Sequence, residues 1–261
     1  MLSEEVLHDR LPIGGFGLPL YFLPTVGSTN DVAIGLAEDG APEGTLVVAD
    51  AQTRGRGRSG QAWQTPPGTA LALSLVLRPR QVRTETAWEI SVAGALAVAD
   101  ALETEGAAPS IKWPNDVLLD GRKFCGILAE TVWVGGEAES IVLGIGVNVA
   151  LGAVPQRGSL NFPATSLEAE LQSTLDRVGL LHDILVRLLK WRPQIATPVF
   201  IHTWDAKLAF KGEPVQIRGE SGNTVTGILE GLNSDGSLRV DTGQGPPVTV
   251  HFGEVHLRTG L

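Results

Sequence analysis

Between residues 52 and 63 the chain reads Gln52-Thr53-Arg54-Gly55-Arg56-Gly57-Arg58-Ser59-Gly60-Gln61-Ala62-Trp63, three arginines alternating with glycines directly after a short β-type run. Glycine lets backbone N–H groups approach an anion closely, and each guanidinium adds fixed charge and a fork of donors suited to phosphate or carboxylate. The whole chain carries 20 Lys+Arg against 29 Asp+Glu, a formal charge of -9. A general attraction to nucleic acid or an anionic membrane is therefore excluded, and the loop is a local anion trap. It lacks the Gly-Lys-Ser/Thr ending of a Walker loop, and Pro66 and Pro67 stand where a GxGxxG motif would open a helix. The plain alternative is a solvated Arg-Gly loop that brushes nucleic acid.

A second cluster is Lys112-Trp113-Pro114-Asn115-Asp116, followed by Lys123 and Gly126. Two lysines and a carboxylate gathered around a rigid proline suit phosphate neutralisation, with a base or metal role for the aspartate. Pro-Asn-Asp is equally ordinary turn chemistry. Gly144-Ile145-Gly146-Val147-Asn148 puts small residues at a strand end, where backbone can approach a ligand and Asn148 can bond it; a bulged core strand would read the same way. Ser28-Thr29-Asn30 could simply cap the helix that follows.

The elements that must hold these segments follow from period and punctuation. The run 45–49 and the alternation of Leu71, Leu73, Leu75 and Leu77 within 69–77 predict two strands, the second half-buried. Trp88, Val92, Leu96, Ala99 and Leu102 recur at helical spacing over 85–105, and Gly106 supplies the stop. Residues 117–119, the turn Asp120-Gly121-Arg122-Lys123 and residues 124–134 predict a hairpin. Gly135-Gly136 leads into a further strand over 140–149, so the middle of the chain is a largely antiparallel meander. Asp176 can cap a helix carrying Leu180, Ile184, Leu188 and Trp191 up to Pro193, and 199–208 is another helical piece. From Phe210 onward the helix signals cease. Short alternating runs at 215–217, 225–229, 237–240 and 248–252 predict a small β-barrel leaning on the larger body, because about 50 residues make a marginal core.

With 43% hydrophobic residues in 261, disorder as the main state is excluded. The single cysteine, Cys125, can form neither an intrachain disulfide nor a thiolate metal site, which points to a reducing, cytoplasmic compartment. The apolar stretch 13–24 is broken by Gly14, Gly15, Gly17 and Pro19 and preceded by Glu4, Glu5 and Asp9, so it reads as neither an export signal nor a membrane span. No other run reaches the roughly 18 apolar residues that a membrane helix needs.

In this order and spacing the segments resemble the biotin protein ligases, the biotin–[acetyl-CoA-carboxylase] ligase family. The resemblance covers nearly the whole chain: Ser-Thr-Asn at 28–30, the Gly-Arg loop ending at Trp63, Lys-Trp-Pro-Asn-Asp at 112–116, Gly-Arg-Lys-Phe-Cys-Gly-Ile-Leu at 121–128, Gly-Ile-Gly-Val-Asn at 144–148, Ala-Thr-Ser-Leu at 164–167 and the small C-terminal β-domain. It implies an α/β (α+β) catalytic domain of the class II synthetase type over 1–209, with a mixed, largely antiparallel sheet and helices on one side, and an SH3-like barrel over 210–261. It implies a reaction in which biotin and ATP give biotinyl-5′-AMP and pyrophosphate, and the adenylate then acylates a lysine. The first step brings a carboxylate against a triphosphate, so cationic donors and Mg²⁺ must offset the repulsion.

By the same resemblance Ser28, Thr29, Asn30 and Gln52 line the biotin pocket, and Arg56, Gly57, Arg58 and Trp63 belong to a mobile loop that closes over biotin and the adenylate. Lys123, with Gly126 beside it, lies at the biotin carboxylate and reacting centre. Asp116 and Lys112 are the catalytic aspartate and the phosphate-facing lysine, with Arg56 completing the catalytic set. Arg54, Arg58, Asn115, Asn148 and Arg258 face ATP or the adenylate. Residues 152–165 are expected to form a second mobile loop over adenine with Phe162 stacking on the base, the alternative being a phenylalanine that packs inward.

Two features depart from the family pattern. Gln61 stands where many members carry a second arginine, which transfers a phosphate contact to Arg54 or weakens loop ordering. Only 27 residues precede Ser28, too few for the winged helix of the repressor-type members, so no DNA binding is expected. The expected acceptor is the biotin carboxyl carrier protein domain of acetyl-CoA carboxylase or a related carboxylase, met by a monomer or a homodimer. A lipoate-type ligase would share the architecture, but the Arg-Arg and Tyr-His-Asp of that family are missing. A nucleic-acid-binding module is the other alternative, and the net charge opposes it.

Overall fold

The computed structural model describes residues 2–11, 15–82, 86–154, 162–219, 223–251 and 254–257. In chain order the elements are α1 (Glu4–Arg10), β1 (Leu20–Val26), α2 (Thr29–Glu38), β2 (Leu46–Gln52), β3 (Ala70–Leu77), α3 (Thr86–Glu103), β4 (Ser110–Lys112), β5 (Asp116–Leu119), β6 (Arg122–Val134), β7 (Glu137–Asn148), α4 (Leu167–Leu171), α5 (Arg177–Trp191) and α6 (Pro198–Ala206). Five short strands follow: β8 (Pro214–Arg218), β9 (Thr224–Leu232), β10 (Leu238–Asp241), β11 (Val248–Val250) and β12 (Glu254–Leu257). No described helix is long and apolar enough to cross a membrane.

Seven strands form one sheet in the order β1-β2-β3-β7-β6-β5-β4, with β1 and β2 parallel and the other neighbours antiparallel. Pro24, which cannot donate to a ladder, is tolerated because β1 is an edge strand. The β5–β6 hairpin turns at Asp120 (φ 46°) and Gly121 (φ 70°), the paired positive φ values of a tight two-residue turn, as the Asp-Gly dipeptide predicts.

Leu71, Leu73, Leu75 and Leu77 all enter the main core with α3 and α5, as their period of two requires. Yet every residue of β3 is buried, where the alternation predicted one wet face. The cause is α2, whose Ala33 and Ala37 pack on Val47, Val76, Val132 and Val142 across the opposite face. Helices thus cover both faces, which corrects the expectation of helices on one side: α3 and α5 lie on the leucine face and α2 on the other. Asp176 caps α5 through the Val178 N–H at 3.1 Å, and Gly106 ends α3 with φ 80°, both as expected.

The C-terminal strands form an antiparallel sheet in the order β11-β10-β9-β8-β12, the small SH3-like unit. It leans on the larger body in a definite way. Val215, Ile217, Leu229, Leu238 and Val240 are continuous with the main core. The Ile111 N–H donates to Lys207 O at 2.7 Å, the Ala209 N–H returns to Ile111 O at 2.9 Å, and the Trp113 indole donates to Gly236 O at 3.1 Å. The join is therefore at the β4 edge. Gly236 is required there: its φ is 80°, and a Cβ would lie 2.5 Å from the Trp88 ring and 2.7 Å from that of Trp204.

Candidate active site

On the face that carries α2, strand register aligns Ala72 and Ser74 of β3 with Gly146 and Gly144 of β7, Gly126 and Leu128 of β6, and Asp116 of β5. The larger Val76, Val142 and Val132 of the same face lie under α2. Beyond the first turn of that helix the sheet is uncovered and floored by small residues, leaving a cleft of about 340 Å³. The glycines provide room rather than unusual backbone: a Cβ on Gly144 would sit 2.2 Å from Asn30 Oδ1, and one on Gly146 2.5 Å from Trp63 Nε1. The Trp63 indole thus lies directly on the floor, its buried Nε1 without a hydrogen-bond partner among the described residues.

One end of the cleft is a continuous polar network. Gln52 Oε1 accepts from the Thr29 N–H at 2.8 Å and from the Thr29 hydroxyl at 3.1 Å, so α2 is capped by a distant side chain; the Ser28 side chain makes no cap. Ser74 Oγ lies 2.8 Å from Thr29 Oγ1 and 2.5 Å from Asn30 Oδ1. The Asn30 amide donates to Glu130 Oε2 at 2.6 Å, and Arg56 donates to both Glu130 oxygens at 3.1 Å and to Asp31. Burial opposes the charge of Arg56, but the hydrogen bonds to Asp31 and Glu130 outweigh it and hold the guanidinium above its ordinary pKa. The chain Gln52–Thr29–Ser74–Asn30–Glu130–Arg56–Asp31 ties α2, three strands and the arginine-glycine loop into one unit. Because every buried member is bonded, the unit is rigid.

The other end is cationic. Lys123 Nζ lies 2.6 Å from Asp116 Oδ1 and 5.5 Å from the Trp63 ring centroid; Lys112 Nζ lies 3.7 Å from Asp116 Oδ2. Lys112 and Asp116 are register partners in the β4–β5 hairpin, and Trp113-Pro114-Asn115 is its turn. The turn reading of that motif and the chemical one are therefore both correct. Asn115 donates to Ile127 O and accepts from Arg58 at 3.4 Å. Lys123 is fixed from the far side by its backbone, which exchanges hydrogen bonds with Pro163 and Thr165. Cys125, next in β6, is fully buried, and burial pushes its thiol far above the usual range, so it is no nucleophile.

The cleft brings together Ser28, Thr29, Asn30, Gln52, Arg56, Gly57, Arg58, Trp63, Lys112, Asn115, Asp116, Lys123 and Gly126, drawn from three separate sequence motifs. Other predicted residues stand elsewhere. Arg54 is exposed, with its guanidinium against Gly27. Asn148 is buried and donates to Thr165 O at 3.1 Å, tying down the segment that holds Lys123. Phe162 packs inward with its ring 6.2 Å from Phe210 and under Lys112 Nζ at 4.4 Å, the alternative to stacking on a base. Arg258 and residues 155–161 of the second loop lie outside the described residues. Sequence reasoning missed Ser74, Glu130 and Asp31, whose signal is position: Ser74 and Glu130 share the period-two face of Gly144 and Gly126. It also missed Arg218, which reaches the cleft from the C-terminal sheet.

Comparison with known proteins bears on this arrangement. Residues 22–148 match the Biotin/lipoate A/B protein ligase family, and residues 211–258 match the Biotin protein ligase C terminal domain. The chain is 34% identical over 268 residues to the biotin–[acetyl-CoA-carboxylase] ligase of Mycobacterium tuberculosis, an alignment spanning 98% of this chain and 96% of that protein. The chain belongs to the biotin protein ligase family. The ligase is also 33% identical over 249 residues to the bifunctional ligase/repressor BirA of Bacillus spizizenii, with 94% and 76% of the two chains aligned. Its structure is similar to that of the biotin protein ligase from Aquifex aeolicus in complex with biotin and ATP, with a TM-score of 0.78 at 30% identity over 92% and 98% of the two chains.

Proposed function

We propose that this ligase activates biotin with ATP and transfers it to a lysine of a biotin carboxyl carrier protein domain, that of acetyl-CoA carboxylase or a related carboxylase. The observation that carries the reading is a single cleft in which a bonded polar network faces two ammonium groups fixed on one carboxylate. In the first step a biotin carboxylate oxygen attacks the α-phosphorus of ATP, the α–β bridging P–O bond breaks and pyrophosphate leaves. Both reactants are anions, so the step requires preplaced cations, and Lys123, Lys112 and Arg58 are those within the cleft. In the second step the acceptor amine attacks the acyl carbon, AMP departs with the bonding electrons of the C–O bond and the amine gives up a proton.

In this reading Ser28, Thr29, Asn30 and Gln52 hold the biotin ring system, and Arg56, Gly57, Arg58 and Trp63 cover it and the adenylate. Lys123 sits at the mixed anhydride, and Asp116 holds both lysines in place. Asn115 orients Arg58. Mg²⁺ enters as MgATP: among the described residues no group of three His, Cys, Asp or Glu could hold an ion, and Asp116 is already engaged by lysine. The catalytic unit is assigned to 1–209 and the small sheet to 210–261, and the single buried thiol favours the cytoplasm. A thermal-shift titration tests the function. A ligand that binds only the folded state stabilises it by about 2.7 kcal/mol at a hundredfold excess over Kd. Biotin should give a shift and biotin with MgATP a larger one; a shift with lipoate in place of biotin would overturn the substrate.

A further inference from the structure

Five cationic residues line the cleft, Arg56, Arg58, Lys112, Lys123 and Arg218, against one carboxylate among its described lining residues, Asp116. Most of this charge is already committed. Arg56 is held by Asp31 and Glu130, and both lysines share Asp116. Arg58 bonds only the neutral Asn115 side chain, and Arg218, exposed at the end of β8, has no carboxylate partner among the described residues. The two arginines come from different sheets. Arg218 belongs to the unit joined at the β4 edge, so it approaches from the 112–116 end, away from the buried network.

We propose that Arg218 binds the β- and γ-phosphates of ATP and, with Arg58, holds the departing pyrophosphate. The inference rests on the ligase reading above. The α-phosphorus must meet the biotin carboxylate deep in the cleft near Lys123, which leaves the rest of the triphosphate pointing outward, where a planar guanidinium at the rim can grip it bidentately. Arg218 therefore acts in adenylate formation and not in acyl transfer, since pyrophosphate has left by then.

The test uses the full chain with biotin, MgATP and inorganic pyrophosphate. The wild-type protein must catalyse biotin-dependent ATP–pyrophosphate exchange; its failure to do so would sink the ligase reading itself. Given that activity, Arg218→Ala should raise KM for both MgATP and pyrophosphate about ten- to hundredfold, the size of one charge-assisted contact. Arg218→Lys should fall between, since it keeps the charge and loses the fork. Biotin affinity, Tm and single-turnover transfer from supplied biotinyl-5′-AMP should stay within about twofold of wild type or unchanged. Unaltered KM for ATP and pyrophosphate would overturn the proposal, as would a raised acceptor KM with ATP binding intact, which would make Arg218 a docking residue for the carrier domain.

Discussion

Replacing Lys123 by alanine separates chemistry from packing more cleanly than any other single change at this site. Lys123 Nζ stands 2.6 Å from Asp116 and Lys112 Nζ 3.7 Å from the same carboxylate. At an effective dielectric of about 20 these separations correspond to gross attractions of about 6 and about 4.5 kcal/mol, most of each offset by desolvation. Removing Lys123 therefore does not orphan Asp116, because Lys112 remains within reach. The half-buried lysine packs only its stem against Trp63, so the stability loss should be about 1 kcal/mol or less. Adenylate formation is another matter: a preplaced cation at the developing charge is worth about a hundred- to a thousandfold in rate. Lys123→Ala should accordingly lower biotin-dependent pyrophosphate exchange by that factor with a near-normal Tm. Exchange within a few-fold of wild type would refute the placement of the reacting centre. A collapse of Tm would refute the electrostatic argument, showing that Lys112 cannot hold Asp116 alone.

Other expectations follow from the same geometry. Arg58→Ala removes a cation that bonds only Asn115, so the fold should hold while free biotinyl-5′-AMP accumulates in the medium; no release above wild type would mean that the loop does not guard the intermediate. Gly144→Ala drives a methyl group to 2.2 Å from Asn30 Oδ1, so the Ser74–Asn30–Glu130 links must open at a cost of about 1–3 kcal/mol, with biotin binding falling alongside; calorimetric titration and chemical denaturation of the variant check both. Asp176, the α5 cap, is the pH probe: burial raises its pKa, but the bonds from Arg10 and from the Val178 and Gly179 N–H groups outweigh this and hold it below the ordinary carboxylate value. Its stabilisation is thus complete above about pH 4, where the unfolded chain is ionised, and is lost as pH falls through the lower folded value. Asp176→Ala should cost about 1 kcal/mol at neutral pH. The difference in Tm from wild type should vanish in strong acid, and a difference that persisted there would assign the effect to packing.

What could be read in the sequence, and what could not, divides along physical lines. Features set by neighbours in the chain were legible: the Asp-Gly turn, the Asp176 cap, the Gly106 stop and the leucine stripe of β3 are each written within a few residues. So were the three motifs that form the cleft, because their chemistry stands out against a chain of net charge -9. The features that escaped are set by residues far apart. Gln52 caps α2 across 23 residues, Asn30 meets Glu130 across 100, and Trp113 reaches Gly236 across 123. Ser74 looked like an interruption in a strand because its partners lie on a helix and a loop. Arg54 and Arg58 are indistinguishable by spacing, yet one turns outward onto Gly27 and the other inward onto Asn115.

The cleft itself shows why this division matters for function. It exists because α2 covers only part of one face of the sheet and the uncovered strands carry Gly126, Gly144, Gly146 and Ala72 in register. None of these residues does chemistry, and a larger side chain at any of the three glycines would meet Asn30, Trp63 or Lys123 within 3.3 Å. The reactive groups then approach this floor from independent directions: the α2 N-terminus and β2 from one end, the β4–β5 hairpin from the other, and the arginine-glycine loop from above. The loop is bound at its base, where Arg56 is locked to Asp31 and Glu130, while Arg58, two residues on, has only a neutral partner. Neutralised charge beside the polar network and unneutralised charge toward the rim give the site a direction, with the neutral bicyclic ring of biotin favoured inside and the polyphosphate outside. Exchanging those environments, by removing Glu130 or by placing a carboxylate beside Arg58, should weaken biotin and ATP binding respectively and independently.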